Sequence, residues 1–140
     1  KKKFNIITLW HVLEHIPNLY ESIEQIKSLL SEKGQLFIAV PNFKSYDAQY
    51  YKEFWAAYDV PRHLWHFSQQ SIKTLFSSAN MKVTRVYPLV YDSFYVSLLS
   101  EKNKTGKNNF IKAFLVGLKS NLKAMKSKEY SSLIYEIEHR

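Results

Sequence analysis

The sequence predicts an α/β domain, a largely parallel sheet flanked by helices. Three observations carry this reading. Phe4 to Leu9 and Gln35 to Val40 are short, nearly continuous apolar runs, the pattern of strands buried on both faces. A helical spacing of apolar residues lies between them, so strand, helix and strand follow one another within the first 41 residues, a βαβ unit with parallel strands and a right-handed crossover. Beyond a long aromatic-rich connection, helix and strand patterns alternate again. The length of 140 residues suits one domain with a real core.

Each element has a local reason. Ile6, Ile7 and Thr8 supply the β-branched character of the first strand. Pro17-Asn18 stops the chain, Asn18 can cap a helix, and Glu21 stands three residues on. Ile23, Ile26, Leu29 and Leu30 recur at helical spacing, and Gly34 is expected just past the helix end. Pro41 ends the second strand. Asn42 to Phe67 reads as a long irregular stretch, of the kind that is usually functional. Ser68 is expected to cap a helix with Ile72, Leu75, Phe76 and Ala79 inward and Asn80 at its end. Met81 to Tyr87 is a third strand closed by Pro88. A short helix over Asp92 to Ser100, a polar loop over Glu101 to Asn109, and a helix from Asn109 to about Lys126 follow. The last helix has an apolar stripe of Phe110, Phe114, Leu115, Leu118, Leu122 and Met125, expected to face the core. Ser131 to Glu138 is a final strand.

Composition excludes several classes of protein. Hydrophobic residues make up 46%, too many for intrinsic disorder. There is no cysteine, which removes disulfide scaffolds, thiol catalysis and Cys-ligated zinc, and fits a reducing, cytoplasmic setting. No apolar run approaches the roughly 18–20 residues that span a bilayer. The net charge of +8 suits nucleic acid, an anionic membrane face or an acidic ligand, and equally a solvated Lys-rich surface. Lys1-Lys2-Lys3 runs directly into a strand, so the chain reads as starting in the middle of a domain, and a fragment is expected.

Three constellations can carry chemistry. Trp10-His11-Val12-Leu13-Glu14-His15 contains the H-x-x-E-H pattern of a zinc hydrolase, two histidines four apart with a glutamate as general base. That motif belongs inside a long helix, whereas here it follows a strand and precedes Pro17. The other reading is a polar loop at the carboxyl end of a parallel strand, where open α/β sheets bind ligands. The second constellation is the aromatic stretch from Tyr46 to Phe67 with Arg62, His63 and His66, which suits a small-molecule pocket with an imidazole base. The third is the helix over 110–126, where Lys112, Lys119, Lys123 and Lys126 share one stripe at about 100° per residue. A core helix with a solvated face and a helix resting on an anionic membrane both fit it.

Taken in order, these segments resemble class I S-adenosylmethionine-dependent methyltransferases. Phe4-Asn5-Ile6-Ile7-Thr8-Leu9-Trp10-His11-Val12-Leu13-Glu14-His15 is similar to the fourth strand and the Val-Leu-Glu-His turn of that family, with Asn5 in place of the customary Asp. Gly34-Gln35-Leu36 through Pro41-Asn42 resembles the fifth strand. Pro61-Arg62-His63-Leu64-Trp65-His66-Phe67-Ser68 resembles the segment before the next helix. The resemblance implies a partial Rossmann-like sheet: strands 4, 5, 6 and 7 in the order 4-5-7-6, the last antiparallel, flanked by helices. It implies a single domain over 1–140 that lacks the amino-terminal cofactor-binding half. The three glycines, Gly34, Gly106 and Gly117, form no G-x-G loop.

The resemblance also implies roles. Leu9, Trp10 and His11 match positions that line the methionine end of S-adenosylmethionine. Glu14 and His15 match the turn below the methyl-transfer centre. His11 stands where metal-holding relatives have an acid, so no metal is expected. His15, His63 and His66 are the candidate bases, and Glu14, Tyr46, Trp55 and Arg62 the candidate pocket residues. The implied activity is methyl transfer to a small molecule, with the fragment inactive alone. A basic module for nucleic acid or anionic membrane is the main alternative. The missing neighbour of the first strand leaves the edge Phe4 to Leu9 open, so self-association is expected there.

Overall fold

The computed structural model describes residues 2–140. Four strands form one mixed sheet: β1 (Phe4–Trp10), β2 (Leu30–Pro41), β3 (Met81–Pro88) and β4 (Ser132–His139), in the order β1-β2-β4-β3. β1 and β2 are parallel, and β4 runs antiparallel to both β2 and β3. This is the order expected for strands 4, 5, 7 and 6, with the last strand reversed.

Five helices connect the strands: α1 (Leu19–Leu29), α2 (Tyr46–Tyr51), α3 (Gln69–Ser78), α4 (Asp92–Thr105) and α5 (Phe110–Ser127). The main core covers one sheet face. Leu36, Ile38 and Val40 of β2 and Leu133, Tyr135 and Ile137 of β4 meet Ile23 of α1 and Ile72 and Phe76 of α3. Ser68 caps α3 as expected: its hydroxyl accepts from the Ser71 amide, and the Ser71 hydroxyl accepts from the Ser68 amide. Asn80 closes the helix with a left-handed φ of 55°.

A second cluster sits beyond the carboxyl ends of β1 and β2. It joins Ala48 and Tyr51 of α2, Trp55, Ala57, Val96 of α4 and Val116 of α5. Asp47 ties it together. Its buried carboxylate accepts from Trp55 Nε1 at 2.8 Å, Ser120 Oγ at 2.6 Å and Ser131 Oγ at 2.7 Å. Helices α4 and α5 pack through small residues. A Cβ on Gly117 would lie 2.8 Å from Phe94 Cδ1 and 3.0 Å from both Phe94 Cα and the Ser93 carbonyl oxygen, so the two backbones approach as closely as glycine permits.

Five expectations need correction. β1 is not buried on both faces: Phe4, Ile6 and Trp10 are exposed, and only Ile7 and Leu9 lean on the core. Its only strand partner among the described residues is β2, so one side of it has no neighbour to bury it. Gly34 is not a helix cap. The helix ends at Leu29, and Gly34 lies inside β2, where a Cβ would meet Leu30 Cγ at 2.8 Å. The stretch 42–67 is not irregular throughout, since it folds into α2 and two 3₁₀ turns, Lys52–Phe54 and Ala56–Tyr58. α4 runs on to Thr105, through most of the expected polar loop, until Gly106 takes a φ of 72°. The apolar stripe of α5 faces outward. Ala113, Val116, Gly117, Ser120 and Ala124 are buried instead, because only small side chains fit the close approach to α4.

Candidate functional site

β1 delivers the chain to the carboxyl edge of the sheet, and the strand ends abruptly. His11 adopts a left-handed φ of 52°, an unusual conformation for a residue with a Cβ. Its amide still donates to the Ala39 carbonyl at 2.9 Å, so the turn is anchored to β2. Leu13–His15 then forms a 3₁₀ turn. The same edge carries Pro41 and Asn42. Asn42 is buried and donates to Glu129 and to the Tyr130 carbonyl, which locks the exit of β2 to the start of β4.

A cleft of about 580 Å³ opens over this edge, within the usual size of small-molecule sites. His11, Asp59, Arg62, His63, Asp92 and Ser132, with Lys102 and Asn103 further along α4, supply its polar lining, and Tyr95, Val96 and Leu99 of α4 supply an apolar wall. His11 is its electrostatic centre. Nε2 lies 3.2 Å from Asp92 Oδ2, and Nδ1 lies 3.4 Å from Glu14 Oε1. The hydrogen bond to Asp92, then that to Glu14, raises the imidazole from 6.5 to about 9, so His11 is a cation at neutral pH. Burial works to raise the Asp92 carboxyl, but the bonds to His11 and Ser132 outweigh it and hold the group below its ordinary range.

Glu14 is completely buried, and apart from the 3.4 Å approach of His11 Nδ1 to Oε1 its carboxylate has no hydrogen-bond partner among the described residues. His63 approaches from the opposite wall, its Nε2 4.0 Å from Glu14 Oε1 and 3.7 Å from Asp59 Oδ2. Its Nδ1 is 2.8 Å from the Ala57 carbonyl oxygen. A carbonyl only accepts, so Nδ1 donates to it, and Nε2 is the nitrogen turned toward the two carboxylates. His15 is arranged the same way, with Nδ1 2.9 Å from the Arg62 carbonyl oxygen. The two rings meet edge to face at 4.6 Å.

The structure sorts the residues singled out from the sequence. His11, Arg62 and His63 line the cleft, Glu14 lies beneath it, and Trp10 stands half-exposed at the strand exit. Leu9 turns its side chain to the main core. His15 sits behind His63. His66 faces Tyr58, edge to ring at 5.1 Å, with Nε2 donating to the Tyr58 carbonyl. Trp55 is buried on Asp47, and Tyr46 lies under Lys119 and Lys123. Neither lines the cleft. Arg62 donates to Asp59 at 2.7 Å.

The zinc-hydrolase pattern is not realised. The segment is a 3₁₀ turn, and the three groups that draw together are Glu14, His15 and His63, whose donor atoms lie within 4.8 Å of one another. These three are the residues that could share one metal ion. Asp92 and Asp59 were not foreseen from the sequence. Asp92 stands at the first turn of α4, where an acid reads as ordinary helix-start chemistry, and nothing local joins it to His11, 81 positions earlier.

The fold is that of Rossmann-like methyltransferases. The chain superposes on an S-adenosylmethionine-dependent methyltransferase of Thermotoga maritima, described as a possible histamine N-methyltransferase, with a TM-score of 0.64 at 10% identity, covering 99% of this chain and 57% of that one. It superposes on the mitomycin 7-O-methyltransferase MmcR with a TM-score of 0.60 at 11% identity, covering 99% and 30%. A neocarzinostatin-pathway O-methyltransferase in complex with S-adenosyl-L-homocysteine and 1,4-dihydroxy-2-naphthoic acid gives 0.57 at 10% identity, covering 99% and 30%. A family model described as a methyltransferase domain matches residues 1–86, and the chain belongs to that family. A curated relative, the ubiquinone biosynthesis O-methyltransferase of Glaesserella parasuis serovar 5 (strain SH0165), is 51% identical over 41 residues, which are 29% of this chain and 17% of that protein. The chain spans well under two thirds of each of these relatives.

Proposed function

We propose that this chain serves S-adenosylmethionine-dependent methyl transfer to a small molecule bearing a hydroxyl. The observation that carries the reading is the His11 centre at the strand exit. A cation flanked by the Asp92 and Glu14 carboxylates matches a zwitterion that has a carboxylate at one point and positive charge at another. Trp10, beside it, offers an exposed aromatic face suited to a sulfonium. Trp10 and His11 would hold the methionine end of the cofactor, which supplies an electrophilic methyl group. His63 would take the proton of the acceptor hydroxyl. Of the three candidate histidines it alone lines the cleft, and the bond from Nδ1 to the Ala57 carbonyl fixes the orientation of its ring. The O-methyltransferases among the relatives support a hydroxyl as the acceptor group.

Calorimetric titration with S-adenosylhomocysteine tests the first part. Saturable binding that His11→Ala weakens by about tenfold is expected, the value of one charge-assisted hydrogen bond. Absence of binding to the 140-residue chain means that these residues alone do not hold the cofactor, and binding by a longer protein that His11→Ala leaves unchanged overturns the role of His11. In the longer protein that the resemblance implies, His63→Gln should leave that affinity in place and lower methylation of hydroxylated acceptors about a hundredfold. Equal loss of both identifies a structural role instead.

The free side of β1 supports self-association, with a second copy adding a strand beside Phe4–Trp10. Sedimentation velocity should show a dimer that Ile6→Lys dissociates. A monomer whose β1 amides are protected from hydrogen exchange runs against this.

A further inference from the structure

Helix α5 combines two features that neither the core nor the cleft uses. Its 18 residues extend about 27 Å. One face is small and buried against α4. Outside it, Phe110, Ile111, Phe114, Leu115, Leu122 and Met125 are each more than half exposed, up to 77% at Ile111, with Phe114 at the border, one ring face stacked on Phe94 of α4. Large apolar side chains contiguous along a whole helix exceed the scattered exposure normal for a protein surface. At about 100° per residue they fill one arc, and Lys112, Lys119, Lys123 and Lys126 fill the arc directly beside it.

The second feature is charge. Residues 101–128 hold eight lysines and one acid, Glu101. That acid is buried, bonded to the Tyr51 hydroxyl and 3.7 Å from Lys112 Nζ. The rest of the chain has twelve basic and eleven acidic residues, so almost all of the net charge of +8 lies between residues 101 and 128, on α5 and the end of α4 that leads into it. The excess is therefore concentrated beside the apolar arc rather than spread over the surface.

We propose that α5 lies in the plane of an anionic lipid bilayer, with its apolar arc among the acyl chains and its lysines at the headgroups. Charge complementarity and the exposed apolar arc together select this occupant. A nucleic acid would engage the lysines and give the apolar side chains nothing to enter. A second copy of this chain would bring eight more lysines against the same face. No helix of the described residues is long and apolar enough to cross a membrane, so the helix rests on the surface and does not span it. The inference stands whether or not the cleft holds a methyl donor.

Co-sedimentation of the whole chain with vesicles is the test. Binding to phosphatidylcholine vesicles containing phosphatidylserine is expected. It should weaken by at least about tenfold on pure phosphatidylcholine and fall as salt rises. The triple variant Leu115→Ser, Leu122→Ser, Met125→Ser should lose about tenfold or more, and Lys123→Gln with Lys126→Gln several-fold. All five positions lie outside the buried face, so circular dichroism should be unchanged. The wild-type comparison of the two vesicle types stands even where a variant fails to fold. Absence of binding to the anionic vesicles overturns the proposal. So does duplex DNA binding that the lysine variant loses and the apolar variant keeps, if the apolar variant also binds vesicles normally. A dimer that the apolar variant dissociates, with vesicle binding unaltered, assigns the face to a second copy and also overturns it.

Discussion

Helix α3 buries its large apolar side chains, and α5 exposes them. In α3, Ile72, Leu75 and Phe76 enter the main core between the sheet and α1. In α5, the buried residues are Ala113, Val116, Gly117, Ser120 and Ala124, while Phe110, Phe114, Leu115 and Leu122 are each more than half exposed, Phe114 with one face stacked on Phe94 of α4. The difference lies in what each helix packs on. A sheet face offers a wide apolar surface that large side chains fill. A helix crossing as close as α4 and α5 leaves room only for small ones. Amphipathic spacing therefore identifies a helix reliably, but the partner decides which face turns inward.

The largest test of this contrast replaces one large apolar residue on each helix. Phe76 is fully buried, so Phe76→Ala should cost about 4 kcal/mol, the transfer term plus the cavity it leaves. Leu122 is 58% exposed, and Leu122→Ala should shift stability by no more than about 0.5 kcal/mol. Urea unfolding with a common slope measures both. A similar cost at the two positions would break the contrast.

Asp47 sharpens it on the polar side. The main core is held by apolar contact, whereas the second cluster depends on one carboxylate that satisfies Trp55, Ser120 and Ser131. Asp47→Ala leaves three buried donors without a partner. A loss of about 3 kcal/mol is expected, with the amides of α5 losing hydrogen-exchange protection before those of β4. Uniform loss across both regions would show that the two clusters do not open separately.

Gly117 tests the close approach itself. Gly117→Ala gains about 1 kcal/mol of helix propensity in principle. The added carbon would meet Phe94 Cα and the Ser93 carbonyl oxygen at 3.0 Å, and backbone atoms cannot swing aside. A net loss of about 1–2 kcal/mol is expected in thermal unfolding. A gain would mean that α4 and α5 have slack between them.

The succession of helices and strands along the chain was legible because apolar runs, Pro stops and the Ser68 and Asn109 caps are local signals, whereas the order of the strands in the sheet came from the family resemblance. Two of the three expected caps are made, Ser68 to the Ser71 amide and Asn109 to the Lys112 amide, whereas Asn18 holds the first position before α1 without a side-chain bond. The site was legible only in part. His11, Glu14 and His63 could be singled out because they lie in segments with a recognisable pattern. Asp92 could not, since its meaning comes from a contact with His11 across the sheet edge. The inward face of α5 was hidden for a related reason. Hydrophobicity ranks Phe114 and Leu118 above Gly117 and Ser120, and only the distance to α4 reverses the ranking.

The smallest effect joins the two regions. His11 follows the last residue of β1 and Asp92 begins α4, so their pair fastens the hairpin to the strand edge. His11 rises from 6.5 to about 9 on folding, so its stabilising contribution is complete below pH 6.5 and is lost as pH climbs through about 9. Asp92 is held below its ordinary 3.8, so its contribution is present above that pH and is lost as the carboxylate is protonated below it. The pair should therefore favour the docked hairpin most between about pH 4 and 6.5. Its effect is modest because the imidazole is 40% exposed and water screens it. Hydrogen exchange of the first turn of α4, corrected for the intrinsic rate, should show protection falling between pH 6.5 and 9. In His11→Gln, which cannot titrate, that protection should be low and flat across the same range. A pH-dependent loss that persists in the variant would place the controlling group elsewhere, with His63 the next to replace.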